Sequence, residues 1–350
     1  MSNRNDSPRL AQENPPANEE ADIATIAETL SQKIRHDYPP GKRALRDAHP
    51  KAHGTVKGEF IVHDNLPAEC RYGVFKEART FPAFIRFSST GLERVQPDTT
   101  KDAHGMAIKL MGVEGEKILE EEKNEQTQDF IMVSYDVFFI RNPHDFTFFA
   151  EALREQRMLS FFIGWNPFKW RIHEFWRAFR SVAPVGNPLQ IRYWSQTPIH
   201  LGPHAVKYSS RSRMPKTDGI PRNAGPDFLT EAMARTLRTE DVYFDFMVQF
   251  QTDAIKMPIE DPTIRWSENA SPFVKVATVH IPAQEFDSPA RMEFGDNLSF
   301  TPWHALSEHR PLGGIQRARR VVYETISKLR HGLNNAPRKE PTSFEEFESL

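Results

Sequence analysis

Segments with the signature of half-buried strands recur along this chain, and one long aromatic stretch of helical character interrupts them. Positions 58–62, 84–88 and 105–111 carry β-branched and aromatic residues in strand-like order. Positions 242–251 put Phe244, Phe246, Val248 and Phe250 on one face with a period of two. Positions 273–281 alternate less cleanly, yet their β-branched content favours a strand. Between the two sets lies 144–182, crowded with aromatic rings and closed by Pro184 and Pro188, which reads as helical. Helical spacing also marks 22–36 (Ile23, Ile26, Leu30, Ile34), 227–238 and 315–331. Strands on both sides of a helical insertion predict the α+β class: an antiparallel β-barrel with a helical insertion and C-terminal helices. With no internal repeat and no linker rich in Gly or Ser, one domain over 26–333 is expected. A polar, disordered tail at 1–25 and a flexible one at 334–350 would flank it, and the acidic run 115–128 would be a solvated excursion.

Composition excludes more than it selects. A formal net charge of -2 over 350 residues gives no electrostatic reason to expect nucleic acid or an acidic membrane as the main partner. The lone Cys70 rules out an intramolecular disulfide and fits a reducing compartment. No apolar core of a secretory signal and no run of about 18 apolar residues occurs, so the expectation is a cytoplasmic protein with no membrane span. Cys-x-x-Cys, His-Glu-x-x-His, Gly-x-Ser-x-Gly and a phosphate-binding Gly loop are all absent.

The chemistry-bearing pattern lies near the C-terminal end, in 314–331 (GIQRARRVVYETISKLRH), where Arg319 precedes Tyr323 by four residues and Arg330 follows it by seven. On a helix those offsets return to one face. A guanidinium beside a phenol oxygen stabilises the phenolate, which is a good ligand for ferric iron. Upstream, 46–54 (RDAHPKAHG) offers two histidines, His49 and His53, of a type suited to accept and return a proton near neutral pH.

Together with three further segments in order, these residues resemble the haem catalase superfamily, in its small, catalase-related peroxidase form. The match spans roughly 46–331. Arg46, His49 and Lys51 fit Arg-x-x-His-x-Lys/Arg, which assigns a propionate contact to Arg46 and the distal base to His49, with His53 as the rival. FIRFS at 84–88 fits a strand whose Arg86 meets a propionate and whose Ser88 supports the base. DTTKDAHGMAIKL at 98–110 resembles Asp-Thr-x-Arg-Asp-x-Arg-Gly-Phe-Ala-x-Lys, with Lys101 and His104 in place of Arg. VSYDVFFIRNP at 133–143 matches the apolar half of Asn-Asn-Thr-Pro-x-Phe-Phe-Ile-Arg-Asp, and Phe146 takes the haem-stacking position. The distal Asn has no counterpart from 130 to 141, where Ser134 is the nearest polar substitute.

The resemblance implies haem b (iron protoporphyrin IX) beside the barrel, with Tyr323 as iron ligand, Arg319 its charge partner and Arg330 another propionate contact. It implies a peroxidase acting on hydrogen peroxide or organic hydroperoxides, with weak catalase activity because the distal Asn is missing. A hydroperoxide lyase or isomerase, a non-enzymatic haem binder and a barrel for apolar ligands are the alternatives, and a homo-oligomer is left open.

Overall fold

The computed structural model describes residues 8–39, 41–46, 48–91, 96–163, 170–336 and 338–350. In chain order these form α1 (Glu19–Asp37), β1 (Ala52–Val62), β2 (Thr80–Ser89), β3 (His104–Met111), β4 (Thr127–Val133), α2 (Pro143–Arg154), α3 (Met158–Phe162), α4 (Ile172–Ser181), β5 (Arg192–Trp194), β6 (Ile199–Leu201), β7 (His204–Ser212), α5 (Phe228–Leu237), β8 (Val242–Phe250), β9 (Val274–Ile281), α6 (Pro289–Asn297), α7 (Gly314–Asn334) and α8 (Glu345–Glu348).

Every pairing is antiparallel, in the order β5-β4-β3-β2-β1-β9-β8-β7. β5 also pairs with β7, which closes eight strands into a barrel, while β6 attaches to β7 from outside the ring. The closure is narrow. β4 meets β5 at one register pair, Val133 opposite Trp194, against seven pairs between β3 and β4.

The barrel is filled rather than hollow. Phe60 of β1, Phe130 of β4 and Phe246 of β8 meet at its centre, with ring centroids 5.0 Å (Phe60–Phe246) and 4.9 Å (Phe130–Phe246) apart. Burying each such ring stabilises by roughly 1.5–3 kcal/mol. Any ligand site must therefore lie beside the barrel. There, Ile23, Ile26 and Leu30 of α1 pack on Ala150 and Leu153 of α2 and on Ala318 and Val322 of α7. Two local devices set these helices. Asn142 caps α2 by accepting the Asp145 N–H at 2.9 Å, with Pro143 in the first turn. Gly313, at φ +91°, starts α7 where an added Cβ would lie 2.5 Å from the Ile259 carbonyl oxygen. No helix among the described residues is long and apolar enough to cross a membrane.

The expected strands and the helices near 22–36, 227–238 and 315–331 are present, and β4 to β7 are additional. The aromatic region divides into α2, α3 and α4, and positions 164–169 lie outside the described residues, as do 1–7 of the expected N-terminal tail. Positions 19–25 of that tail belong to α1.

The C-terminal positions differ from a free polar tail as well. Phe347 is buried against Phe84 and Phe294, and Glu340 reaches the fully buried Lys109 at 2.6 Å. Asp129 meets the same ammonium at 2.8 Å. Burial alone would push the Lys109 pKa down, but these two carboxylates hold it above the ordinary lysine range. The acidic run is not wholly solvated either: Glu122 is buried, 2.9 Å from His304, and Lys117 is buried against the Val113 and Thr127 carbonyls.

Candidate active site

A cavity of about 360 Å³ lies between the barrel wall and the helical layer, lined by residues of β2–β4, α2, α7 and the segment before β1. That volume suits a small-molecule or cofactor site.

On α7, Arg319 donates two hydrogen bonds to the Tyr323 phenol oxygen, from Nη2 at 2.9 Å and Nε at 3.2 Å. Arg319, Tyr323 and Arg330 all line the cavity, while Ala318 packs toward α1 and Val322 meets both. One helix thus serves two surfaces.

Arg46 and Arg330 are held in place by a helix end. Arg46 Nη2 donates to the carbonyls of Gly295 (3.3 Å), Asp296 (3.2 Å) and Leu298, and Arg330 Nη1 donates to the Asp296 carbonyl at 2.8 Å. These are the last carbonyls of α6, its partially negative terminus. Burial, with Arg86 and Arg330 close by, pushes the Arg46 pKa well down. Its Nε is buried with no acceptor among the described residues. Such a concentration of positive charge out of water calls for an anion.

Across the cavity, Arg86 and Ser88 share one face of β2, as strand alternation requires. Ser88 Oγ lies 3.0 Å from His49 Nδ1, and Arg86 Nη2 donates to the His49 carbonyl at 2.9 Å. His49 sits at φ +58°, a left-handed conformation that this carbonyl contact helps to hold. The imidazole fits because position 105 has no side chain: a Cβ on Gly105 would lie 2.6 Å from Nδ1. Burial, then Arg86, Arg319 and Arg46, push the His49 pKa down to about 3, so the ring is neutral at pH 7.

The rival histidine sits elsewhere. Consecutive strand residues face opposite sides, and His53 Nε2 is 2.9 Å from Ser89 Oγ rather than near Ser88. His53 is fully buried, near His104 and Asp98, and does not line the cavity. Lys51 pairs with Asp98 at 2.6 Å on that same side. Ser134 is also outside the lining: its Oγ accepts the His104 N–H at 2.9 Å, and Val133 lines the cavity in its stead. Phe146 joins Phe138 and Phe149 in an aromatic wall, with centroids 6.4 and 5.7 Å away.

Several lining residues escaped the sequence reading, among them Trp303, His304, Glu122 and Arg338. His304 lies 2.9 Å from Asp129 and from Glu122; burial opposes its charge, but these carboxylates hold its pKa above the ordinary value. Arg338 bonds Glu122 and His304 from beyond α7. Of the aromatic wall, the sequence singled out Phe146; the charge cluster has no local signature.

The residues present fit a flat, dianionic group with apolar faces. Aromatic rings would wall it and guanidiniums would meet its acidic groups, while a phenol oxygen with two N–H donors and a neutral imidazole able to exchange a proton line the same cavity.

A family model described as Catalase matches residues 28–175. The catalase of an Onchocerca volvulus endobacterium is 24% identical over 359 residues, covering 93% of this chain and 70% of that protein. The catalase-related peroxidase of Mycolicibacterium paratuberculosis is 26% identical over 329 residues, covering 86% of this chain and 93% of its own length. Among solved structures, catalase A from Saccharomyces cerevisiae superposes with a TM-score of 0.67 at 19% identity, over 97% of this chain and 72% of that one.

Proposed function

The chain belongs to the catalase superfamily, and on that premise we propose that it is a cytoplasmic haem-dependent peroxidase of hydrogen peroxide or organic hydroperoxides, with weak catalase turnover. The observation that carries the reading is the convergence on one cavity of the Arg319–Tyr323 pair, the neutral His49 and the guanidiniums of Arg46, Arg86 and Arg330. Kinship with a catalase-related peroxidase supports an oxidoreductase acting on peroxide.

Haem b, when bound, supplies a redox-active iron at which a peroxide O–O bond can be cleaved. Tyr323 would ligate that iron through its phenol oxygen, which accepts two N–H hydrogen bonds from Arg319. Arg46, Arg86 and Arg330 would meet the propionates, and Phe146 would pack on the ring. His49 acts as the base. With Nδ1 engaged by Ser88, its Nε2 is the atom that takes a proton from one peroxide oxygen and returns it to the other. Ser88 holds the ring's orientation while that happens.

The wall near His49 favours organic hydroperoxides as a second reading. Val133, Val137 and Phe138 are apolar where an amide would orient hydrogen peroxide, so a lyase or isomerase reaction on the same scaffold competes with peroxidation.

Hemin titration with a Soret readout tests the cofactor, and stopped-flow mixing with peroxide tests the enzyme. Tyr323→Phe should abolish the native Soret spectrum, and His49→Ala should slow the peroxide reaction by about 10²-fold or more while haem stays bound. An unchanged spectrum in Tyr323→Phe would refute the ligand assignment. Haem-loaded wild-type protein inert to every peroxide would make the chain a haem binder instead.

A further inference from the structure

Helix α4 lies on the surface with none of its residues buried. Ile172, Trp176 and Phe179, spaced four and three apart, form one stripe, and they are 49%, 52% and 54% exposed. Leu159, 69% exposed, and Ile163, 47% exposed, extend apolar surface along the preceding segment. Trp176 and Phe179 support each other edge-to-face, with centroids 5.7 Å apart. Large apolar side chains on a short surface helix lose the benefit of burial unless something covers them.

The flank of the stripe is cationic. Arg177 and Arg180 follow it on the polar arc and make no ion pair among the described residues, and exposed His173 lies beside them. The remaining arginine of the segment, Arg171, is already engaged by Asp145 at 3.3 Å. A net charge of -2 over the whole chain conceals this local excess.

We infer that α4 is a peripheral docking surface for an anionic lipid bilayer: the Trp–Phe–Ile stripe enters the headgroup boundary and Arg177 and Arg180 bind acidic headgroups. Aromatic and aliphatic residues on one arc with arginines on the next is the arrangement of helices that lie in a membrane interface. Charge complementarity favours lipid over a second copy. A two-fold contact through this stripe would bring the arginines of both copies together, whereas an anionic surface attracts them. The inner side of α4 adds a consequence. Phe175 meets Phe162 edge-on at 5.5 Å, in the buried cluster against which the cavity-lining Phe138, Phe139 and Phe149 also pack, so docking would set the cavity's aromatic wall one packing layer behind the lipid contact. This inference goes beyond the peroxidase reading and does not depend on bound haem.

The test is co-sedimentation of the full chain with phosphatidylglycerol vesicles and, separately, with phosphatidylcholine vesicles at matched salt. Binding to phosphatidylglycerol is expected, with a partition at least about tenfold weaker on phosphatidylcholine. The double variants Trp176→Ser/Phe179→Ser and Arg177→Glu/Arg180→Glu should each lower partition on the acidic vesicles by about tenfold or more. Both should keep wild-type circular dichroism and reaction with soluble peroxide, since neither pair lines the cavity. Absence of vesicle binding, equal binding to both lipids, or undiminished binding by either variant overturns the inference. So does self-association without vesicles that the apolar double variant abolishes, because the face would then be a contact between copies.

Discussion

Gly105→Ala is the most discriminating small change to the site. Its Cβ would lie 2.6 Å from His49 Nδ1, 2.7 Å from Cε1 and 2.8 Å from Ser88 Oγ, where ordinary contact begins at 3.4 Å. The ring must therefore retreat by about 0.8 Å, a shift comparable to the roughly 1 Å misplacement that can lower a rate 10²-fold. The backbone of His49 has little room to follow, because Arg86 holds its carbonyl at 2.9 Å. The retreat also stretches the 3.0 Å contact with Ser88. Ser88→Ala, by contrast, removes that hydrogen bond and creates no clash; a lost bond of about 1 kcal/mol is a factor of about five. The expected order of peroxide reactivity is wild type, then Ser88→Ala, then Gly105→Ala slower by about 10²-fold. Stopped-flow mixing of haem-loaded variants, normalised to Soret absorbance, measures it. Overpacking should also destabilise Gly105→Ala by about 1–3 kcal/mol in urea unfolding. A Gly105→Ala rate within twofold of wild type at full haem occupancy, or a larger loss in Ser88→Ala, would refute the packing argument for the base.

Other measurements probe the surrounding structure. Lys109→Met leaves Asp129 and Glu340 buried without their shared cation and should destabilise by about 3–5 kcal/mol in urea; an unaltered midpoint would mean that the C-terminal segment does not dock. His104 and His309 are buried, and burial pushes each pKa from 6.5 down to about 4. Each binds a proton on unfolding, so the apo protein should lose about 1.4 kcal/mol per pH unit per histidine as pH falls from 6.5 towards 4. A flat unfolding midpoint across that window contradicts their neutral burial. Val133→Asn restores an amide to the wall near His49 and should raise oxygen release from hydrogen peroxide severalfold; no increase would place the substrate preference elsewhere.

The parts of this molecule legible in the sequence are those whose physics is local. Alternation in β8 and the β-branched content of β9 reflect one face buried in the barrel, and Arg319, Tyr323 and Arg330 share a helix face by spacing alone. β4 lacked that signature because both its faces are covered: Phe130 points into the barrel, and Asp129 faces the ion cluster with Lys109. That cluster joins three stretches distant in sequence, with Lys109 and Glu340 separated by 231 residues, so no short-range pattern announces it. The choice between His49 and His53 was likewise a question of which side of β2 each side chain meets. Motif spacing supplied both candidates, but only the pairing of one with Ser88 and the other with Ser89 separates them.

The junction of β4 with β5 carries a mechanical implication. A ring of strands joined at one rung, Val133 to Trp194, has a preferred place to unzip. Thermal breathing will part the cylinder there before its other joints, and amide protons along β5 will exchange ahead of those in β1, β2 and β3. Since Val133 also lines the cavity, each such opening loosens one of its walls while the densely bonded remainder of the cylinder stays shut.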